Sequence, residues 1–321
     1  MSRRAAIIGA GSYGVTWAWL AANAGHSVVL RTARESVADQ LGRDRRSPSA
    51  AVELPASVEV TTKLERAMAC ETILLAVPPR AGRSVLRQMA PLVRPSHRIA
   101  HSAKGLDDLG ASLSSAIEQE TCCIQTGVVG GPLVLEALWR EEETACLVAS
   151  RFQGVVDDFT DLLTSPRVRV YGSLDLVGVE LAGAMRTSVA LASGMLFGVG
   201  LGRSTRSVLL TRAVVEGARL AQALGGAAES LSGLNGIGDW MVAAADPEND
   251  VVKAGIRLAS GQPADHDEAE SRALALAALG KRHRIEMPIV NSTARILQGE
   301  PVESVLAELM ARASRAEWEG V

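Results

Sequence analysis

The chain has 321 residues, 47% of them apolar and 21% charged, with a formal net charge of −3. That length amounts to about two domains, and the balance excludes a disordered or collagen-like chain. Aromatic residues make up only 3% and there is no basic surplus, which excludes a base-stacking platform or an electrostatic footprint for nucleic acid.

In chain order, residues 1–8 join two arginines to a short apolar run, but Gly9 and Gly11 end that run before it reaches the length of a secretory signal core. Apolar runs of strand length at 5–8, 27–30, 58–61, 72–77 and 98–101 alternate with helix-length stretches at 16–24, 63–69, 80–89 and 108–118; further strands are expected at 123–129 and 145–149. Such alternation predicts βαβ units and an α/β fold with a parallel sheet covered on both faces. From Leu176 onward, apolar residues recur at helical spacing. The domain boundary is therefore expected near residue 175, giving domains 1–175 and 176–321. The most apolar later stretch, 177–201, carries Glu180, Arg186 and several glycines, which argues against a membrane span. The four cysteines, with Cys122 and Cys123 adjacent, match neither a disulfide framework nor a zinc spacing. A soluble, cytoplasmic protein with reduced thiols and no metal is expected.

Gly9-Ala10-Gly11-Ser12-Tyr13-Gly14 follows the first strand and opens the first helix. In that context the glycines permit a tight turn, close backbone approach to a pyrophosphate, and helix–strand packing, while the helix N-terminus offers N–H groups to phosphate. A Rossmann-type, doubly wound domain is expected, with Gly9, Gly11, Ser12, Tyr13 and Gly14 at the cofactor. The end of the second strand reads Leu30-Arg31-Thr32-Ala33-Arg34-Glu35. A carboxylate here suits the ribose hydroxyl of NAD and arginine suits the 2′-phosphate of NADP. Arg31 and Arg34 thus favour NADP, with NAD the alternative.

Further positions are candidates for the site or its support. Lys104, in His101-Ser102-Ala103-Lys104-Gly105, follows a strand whose carboxyl end faces the ligand crevice of such folds. Asp239 ends the turn-rich segment Gly233 to Asp239. Arg212 and Glu216 stand at i, i+4 and have the spacing of a structural pair. His101 is a weaker candidate for a general acid and reads more simply as structural.

These residues add up to a family resemblance. GAGSYG at Gly9, LLAVP at Leu74, SAKG at Ser102, GP at Gly131, VGVELAGAMR at Val177, GVGLG at Gly198, GLNGIGD at Gly233 and EMPI at Glu286 occur in order. The chain thereby resembles the bacterial NAD(P)-dependent glycerol-3-phosphate dehydrogenases. The resemblance implies a helical C-terminal domain of the 6-phosphogluconate-dehydrogenase type, a homodimer, and hydride transfer between nicotinamide and dihydroxyacetone phosphate or glycerol 3-phosphate. It also implies that Lys104 touches nicotinamide and substrate, that Asp239 is catalytic, that Arg212 contacts substrate, and that Val134 and Glu268 contact the cofactor.

Several family positions depart. The family's catalytic lysine falls on Arg186 and the asparagine after it on Thr187, both then facing substrate. The arginine that holds the substrate phosphate falls on Asp250. Arginine stays charged where lysine can exchange a proton, so Lys104 is the first candidate for proton exchange. An acid at a phosphate-binding position predicts a small substrate with less negative charge than dihydroxyacetone phosphate. The alternatives are a genuine glycerol-3-phosphate dehydrogenase and a non-catalytic NADP-binding paralogue.

Overall fold

Arg4–Ile8 forms β1, and its residues Ala5 to Ile8 are fully buried. Alternate residues serve opposite faces: Ala5 and Ile7 join one apolar cluster, Ala6 and Ile8 another. A strand buried on both faces reads as a continuous apolar run, as expected for the centre of a parallel sheet. The structure, a computed structural model, describes residues 2–107 and 109–311. Asp108, where a helix is expected to start, and the last ten residues of the second expected domain lie outside it.

The N-terminal unit continues with α1 (Ser12–Asn23), β2 (Ser27–Arg31), α2 (Glu35–Asp44), a small hairpin of β3 (Arg46–Ser47) and β4 (Ala50–Glu53), β5 (Val58–Thr61), α3 (Leu64–Met68) and β6 (Thr72–Leu75). It ends with α4 (Pro79–Met89), β7 (Arg98–His101), α5 (Leu113–Glu120), β8 (Thr126–Gly130), α6 (Leu135–Trp139), β9 (Thr144–Ala149), α7 (Gln153–Leu163) and β10 (Val168–Ser173). One eight-stranded sheet runs in the order β10-β9-β8-β7-β6-β1-β2-β5. Its pairings are parallel except β8–β9, which is antiparallel. The chain winds outward from β1 in both directions, so the crevice beyond the carboxyl ends of β1 and β6 is the topological switch point, where ligands of such sheets bind.

The second unit is helical: α8 (Leu176–Gly198), α9 (Arg203–Ala223), α10 (Asp239–Ala245), α11 (Asp250–Ala259), α12 (Asp267–Arg282), α13 (Pro288–Leu297) and α14 (Val302–Met310). Contacts divide the chain at Leu176/Val177, but they group Lys104–Ala111 with the helices rather than with the sheet. The expected boundary at 175 does not foresee that excursion. By length and composition α8 could cross a bilayer, yet 83% of its apolar window is buried within the fold. Glycines on two helices serve this packing: a Cβ on Gly194 of α8 would lie 2.1 Å from the Val252 carbonyl oxygen, and one on Gly255 of α11 would lie 2.2 Å from that of Leu191. Backbone-to-backbone contact of α8 with α11 requires both to lack side chains.

Candidate active site

The N-terminal unit builds a phosphate cradle between β1 and α1. Gly9 has φ +113°, and a Cβ there would come within 2.3 Å of the Ala76 carbonyl oxygen on the extension of β6. A Cβ on Gly14 would lie 1.8 Å from the Gly9 carbonyl oxygen, so that glycine lets α1 start directly against the turn. Gly11, the N-cap of α1, has nothing within 4 Å of its absent Cβ. Its bareness is unexplained by protein packing and fits a ligand's close approach. α1 starts at Ser12, and the N-terminus of a helix favours a negatively charged group. A dinucleotide pyrophosphate fits this cradle.

Arg31 ends β2, with its Nε 3.4 Å from the Thr62 carbonyl oxygen. Arg34 is exposed at the N-cap of α2, where its backbone N–H donates to Thr32 Oγ1. Val134 is the N-cap of α6. That helix is tied to α1 through Trp139 Nε1, which donates to Thr16 Oγ1 at 3.0 Å. His101 is buried at the end of β7.

The helical unit brings Lys104, Asp239 and Arg186 together. Lys104 Nζ donates to Asp239 Oδ2 at 2.6 Å, and Arg186 Nε lies 3.2 Å from the same oxygen. The second contact is an ion pair rather than a directed hydrogen bond. Asp239 is 2% exposed, Lys104 16% and Arg186 23% by side chain. Burial lowers the Lys104 pKa below the ordinary lysine range, the neighbouring Arg186 charge lowers it further, and Asp239 opposes both. Thr187, next to Arg186 on α8, is buried.

Two bonds that spacing alone does not predict fix Asp239. Asn235 Nδ2 donates to the Val179 carbonyl at 2.6 Å, and Trp240 Nε1 donates to the Ala182 carbonyl at 2.8 Å. Both acceptors lie on α8, one turn apart and upstream of Arg186. Asn235 and the fully buried Trp240 thus clamp the segment 234–240 to the helix that carries Arg186. Gly236 allows the tight turn between them, since a Cβ there would meet the Leu231 carbonyl oxygen at 2.0 Å.

The remaining expected residues are placed elsewhere in this unit. Arg212 lines an apolar cavity of about 490 Å³ with Glu216 and Arg219. Glu216 does not form the expected i, i+4 pair. Its carboxylate accepts from the backbone N–H groups of Ile289 (2.7 Å) and Val290 (3.3 Å) at the start of α13. The helix-terminal N–H groups at the start of α13, which have no intrahelical acceptor, take up that carboxylate. Burial pushes the Glu216 pKa up to about 8. The folded chain then binds a proton that the unfolded chain releases near 4.5, so stability falls as pH rises from about 4.5 towards 8. Thermal melts over that range are expected to show a falling Tm, flattened by Glu216→Gln. An equal slope in both proteins would refute the assignment.

Asp250 is the first residue of α11, behind an N-cap at Asn249 whose side chain accepts from Val251 and Val252. Its charge favours the helix dipole. Glu268, in the first turn of α12, is ion-paired with Arg272, one helical turn on.

Comparison with known proteins bears on both units. The profile described as NAD-dependent glycerol-3-phosphate dehydrogenase N-terminus matches residues 4–155, and the corresponding C-terminus profile matches 175–307. Glycerol-3-phosphate dehydrogenase [NAD(P)+] from Agathobacter rectalis is 34% identical over 327 aligned residues, covering 98% of this chain and 97% of its own. The protein of that name from Alkalilimnicola ehrlichii is also 34% identical, over 95% and 97% of the two chains. The crystal structure of glycerol-3-phosphate dehydrogenase from Coxiella burnetii superposes with a TM-score of 0.86 at 29% identity, covering 97% of this chain and 99% of that one. The chain therefore belongs to the NAD-dependent glycerol-3-phosphate dehydrogenase family and is an NAD(P)-dependent oxidoreductase acting on a CH–OH group.

Proposed function

We propose that the protein interconverts dihydroxyacetone phosphate and glycerol 3-phosphate, with Lys104 as the proton-exchanging group. The observation that carries this reading is the Lys104–Asp239–Arg186 cluster. A bound nicotinamide supplies the hydride chemistry. Lys104, held on Asp239 with its pKa lowered by burial and by Arg186, exchanges a proton closer to the operating pH than an ordinary lysine does. Arg186 cannot be deprotonated and so cannot take that role. Its fixed charge stabilises negative charge developing on the substrate oxygen. Thr187 contributes the neighbouring hydroxyl.

The departures at Arg186 and Asp250 point, in the sequence, to a changed substrate. Relatives about a third identical over almost their whole length, all named for one activity, favour the family substrate instead. Arg31 and Arg34 support NADPH over NADH. The burial of α8 within the fold supports a soluble enzyme, free cysteines support a reducing, cytoplasmic setting, and exposed Leu201, Val208 and Met310 on the helical unit support a homodimer.

The test is oxidation of NADPH and of NADH by the purified protein with dihydroxyacetone phosphate. Saturable turnover on the order of 1–10³ s⁻¹ is expected, with the lower cofactor KM for NADPH. Tight NADPH binding without turnover would overturn the reading in favour of a non-catalytic paralogue. The pH profile adds a sign. Reduction requires Lys104 protonated, so kcat/KM falls as pH rises through its titration. Arg186→Gln removes a charge that lowers the Lys104 pKa, so the falling limb is expected to move to higher pH as the rate drops. A limb that stays in place would show that Lys104 is not the group titrating.

A further inference from the structure

Segment 234–245 runs along one stripe of α8. Its contacts fall on Val179, Ala182, Gly183, Arg186, Ala190 and Ser193, the i, i+3, i+4, i+7 spacing of a single helix face. Asn235 uses the space that Gly183 leaves, since a Cβ there would lie 3.1 Å from Asn235 Nδ2. Farther along, Ala190 packs with Ala243, and Ser193 Oγ donates to the Ala244 carbonyl at 2.8 Å. Residues 239 and 240 straddle one turn of this stripe. Asp239 faces the Arg186 side chain, while Trp240 Nε1 donates to the Ala182 carbonyl, the group to which an α-helix assigns the N–H of Arg186. Consecutive residues of α10 thus hold Arg186 by its guanidinium and by its backbone turn. The indole is fully buried, so sliding α10 along α8 would strand its N–H away from water.

We propose that Trp240 is a positioning residue: by pinning the start of α10 to α8 it fixes the separation of Asp239 and Arg186, and with it the distance at which the Arg186 charge acts on Lys104. The proposal rests on the reading of Lys104 as the reacting group. Lys104 Nζ and Arg186 Nε converge on one oxygen, Oδ2 of Asp239, so a shift of α10 on α8 alters both contacts together. Small shifts matter here, because about 1 Å of misplacement at a reacting group can cost 10²-fold in rate. Two other charged groups stand near Lys104. Asp107, buried on the same turn segment, accepts from the N–H groups of Leu109 and Ala111. Arg272 packs against Gly105 and pairs with Glu268. None of these belongs to α8 or α10.

The experiment compares the full chain with Trp240→Phe, Gly183→Ala, Ser193→Ala and Arg186→Gln, and with Trp240→Phe and Arg186→Gln combined. It reads Tm, the pH dependence of kcat and kcat/KM for dihydroxyacetone phosphate, and the titration of Lys104 by competitive amine labelling, with exposed Lys63, Lys253 and Lys281 as internal references. Trp240→Phe keeps an aromatic ring in the core and removes the N–H. It is expected to lower kcat roughly 10- to 100-fold. The Arg186 charge lowers the Lys104 pKa, so as that charge recedes the falling limb and the Lys104 titration are expected to move to higher pH. In the Arg186→Gln background the same substitution is expected to cost much less, because the charge it positions is gone. Ser193→Ala breaks another buried tie of the segment to α8, two turns beyond Arg186, and is expected to lower Tm while leaving kcat and the Lys104 titration unchanged. Gly183→Ala pushes on Asn235 from the α8 side and keeps Trp240; a smaller loss of rate with the same pH direction is expected. A limb and a Lys104 titration that coincide with the parent's in Trp240→Phe, or in Gly183→Ala where Trp240→Phe does not fold, would overturn the proposal. So would equal losses with and without Arg186, or a loss of rate in Ser193→Ala as large as that in Trp240→Phe. If the parent protein turns over no dihydroxyacetone phosphate, the reading of Lys104 as the reacting group fails, while the labelling still decides whether Trp240 positions Arg186 against it.

Discussion

Lys104→Met is expected to lower kcat for dihydroxyacetone phosphate about 10²- to 10⁴-fold, the usual worth of a positioned proton donor. The substitution does two things. It removes the only amine in the cluster, and it leaves Asp239, 2% exposed, with one cationic neighbour instead of two. The second effect is structural, because a buried carboxylate losing a partner is destabilising, although Arg186 at 3.2 Å keeps it partly compensated. Lys104→Arg separates them. It retains a positive charge for Asp239 but cannot release a proton near neutral pH. If proton exchange is the role, Lys104→Arg is nearly as slow as Lys104→Met while its Tm stays closer to the parent. More than a tenth of parent activity in Lys104→Arg would mean that charge alone suffices, and the lysine would be an electrostatic group like Arg186.

The legible parts of this molecule are those written in local pattern. β1, β2, β5, β6 and β7 announce themselves because each is a short apolar run between turn residues, and the glycine cradle is complete within six consecutive residues. Helix α2 is not announced: Glu35–Asp44 buries only Leu41, and a segment so polar reads as a solvated loop. The antiparallel pairing of β8 with β9 is also hidden, since a buried run such as Thr126–Gly130 carries no sign of strand direction. At the site, Lys104, Arg186 and Asp239 are each visible, but Lys104 and Asp239 meet across 135 residues of chain, which no spacing rule reaches. Asn235 and Trp240 escape notice because their bonds go to backbone carbonyls of another helix. The Arg212–Glu216 spacing misleads in the opposite way, offering a pair that two helix-terminal amides displace. The Glu268–Arg272 pair, by contrast, does stand in the sequence at i, i+4.

Gly14→Ala and Gly11→Ala are expected to fail in different ways, and the difference tests the cofactor cradle. At Gly14 the added methyl would sit 1.8 Å from the Gly9 carbonyl oxygen and 3.3 Å from the Ala76 methyl. The first obstacle is backbone at the centre of the sheet and cannot swing aside, so α1 must shift away from β1. Overpacking against flexible side chains already costs about 1–3 kcal/mol. Against fixed backbone the cost is expected at or above the top of that range, for a Tm lowered by roughly 5–10 °C, together with loss of NADPH binding. Gly11→Ala meets nothing within 4 Å and keeps an extended backbone open to any residue, φ −78° and ψ −174°. Its Tm is therefore expected within about 3 °C of the parent, allowing for the poorer N-cap. The NADPH Kd is nevertheless expected to rise at least about tenfold, because the methyl occupies the space a pyrophosphate needs against the helix N-terminus. Melting curves and fluorescence titrations of the two variants decide the matter: parent-like NADPH affinity in Gly11→Ala would show that the open space at the start of α1 is not where the phosphates lie.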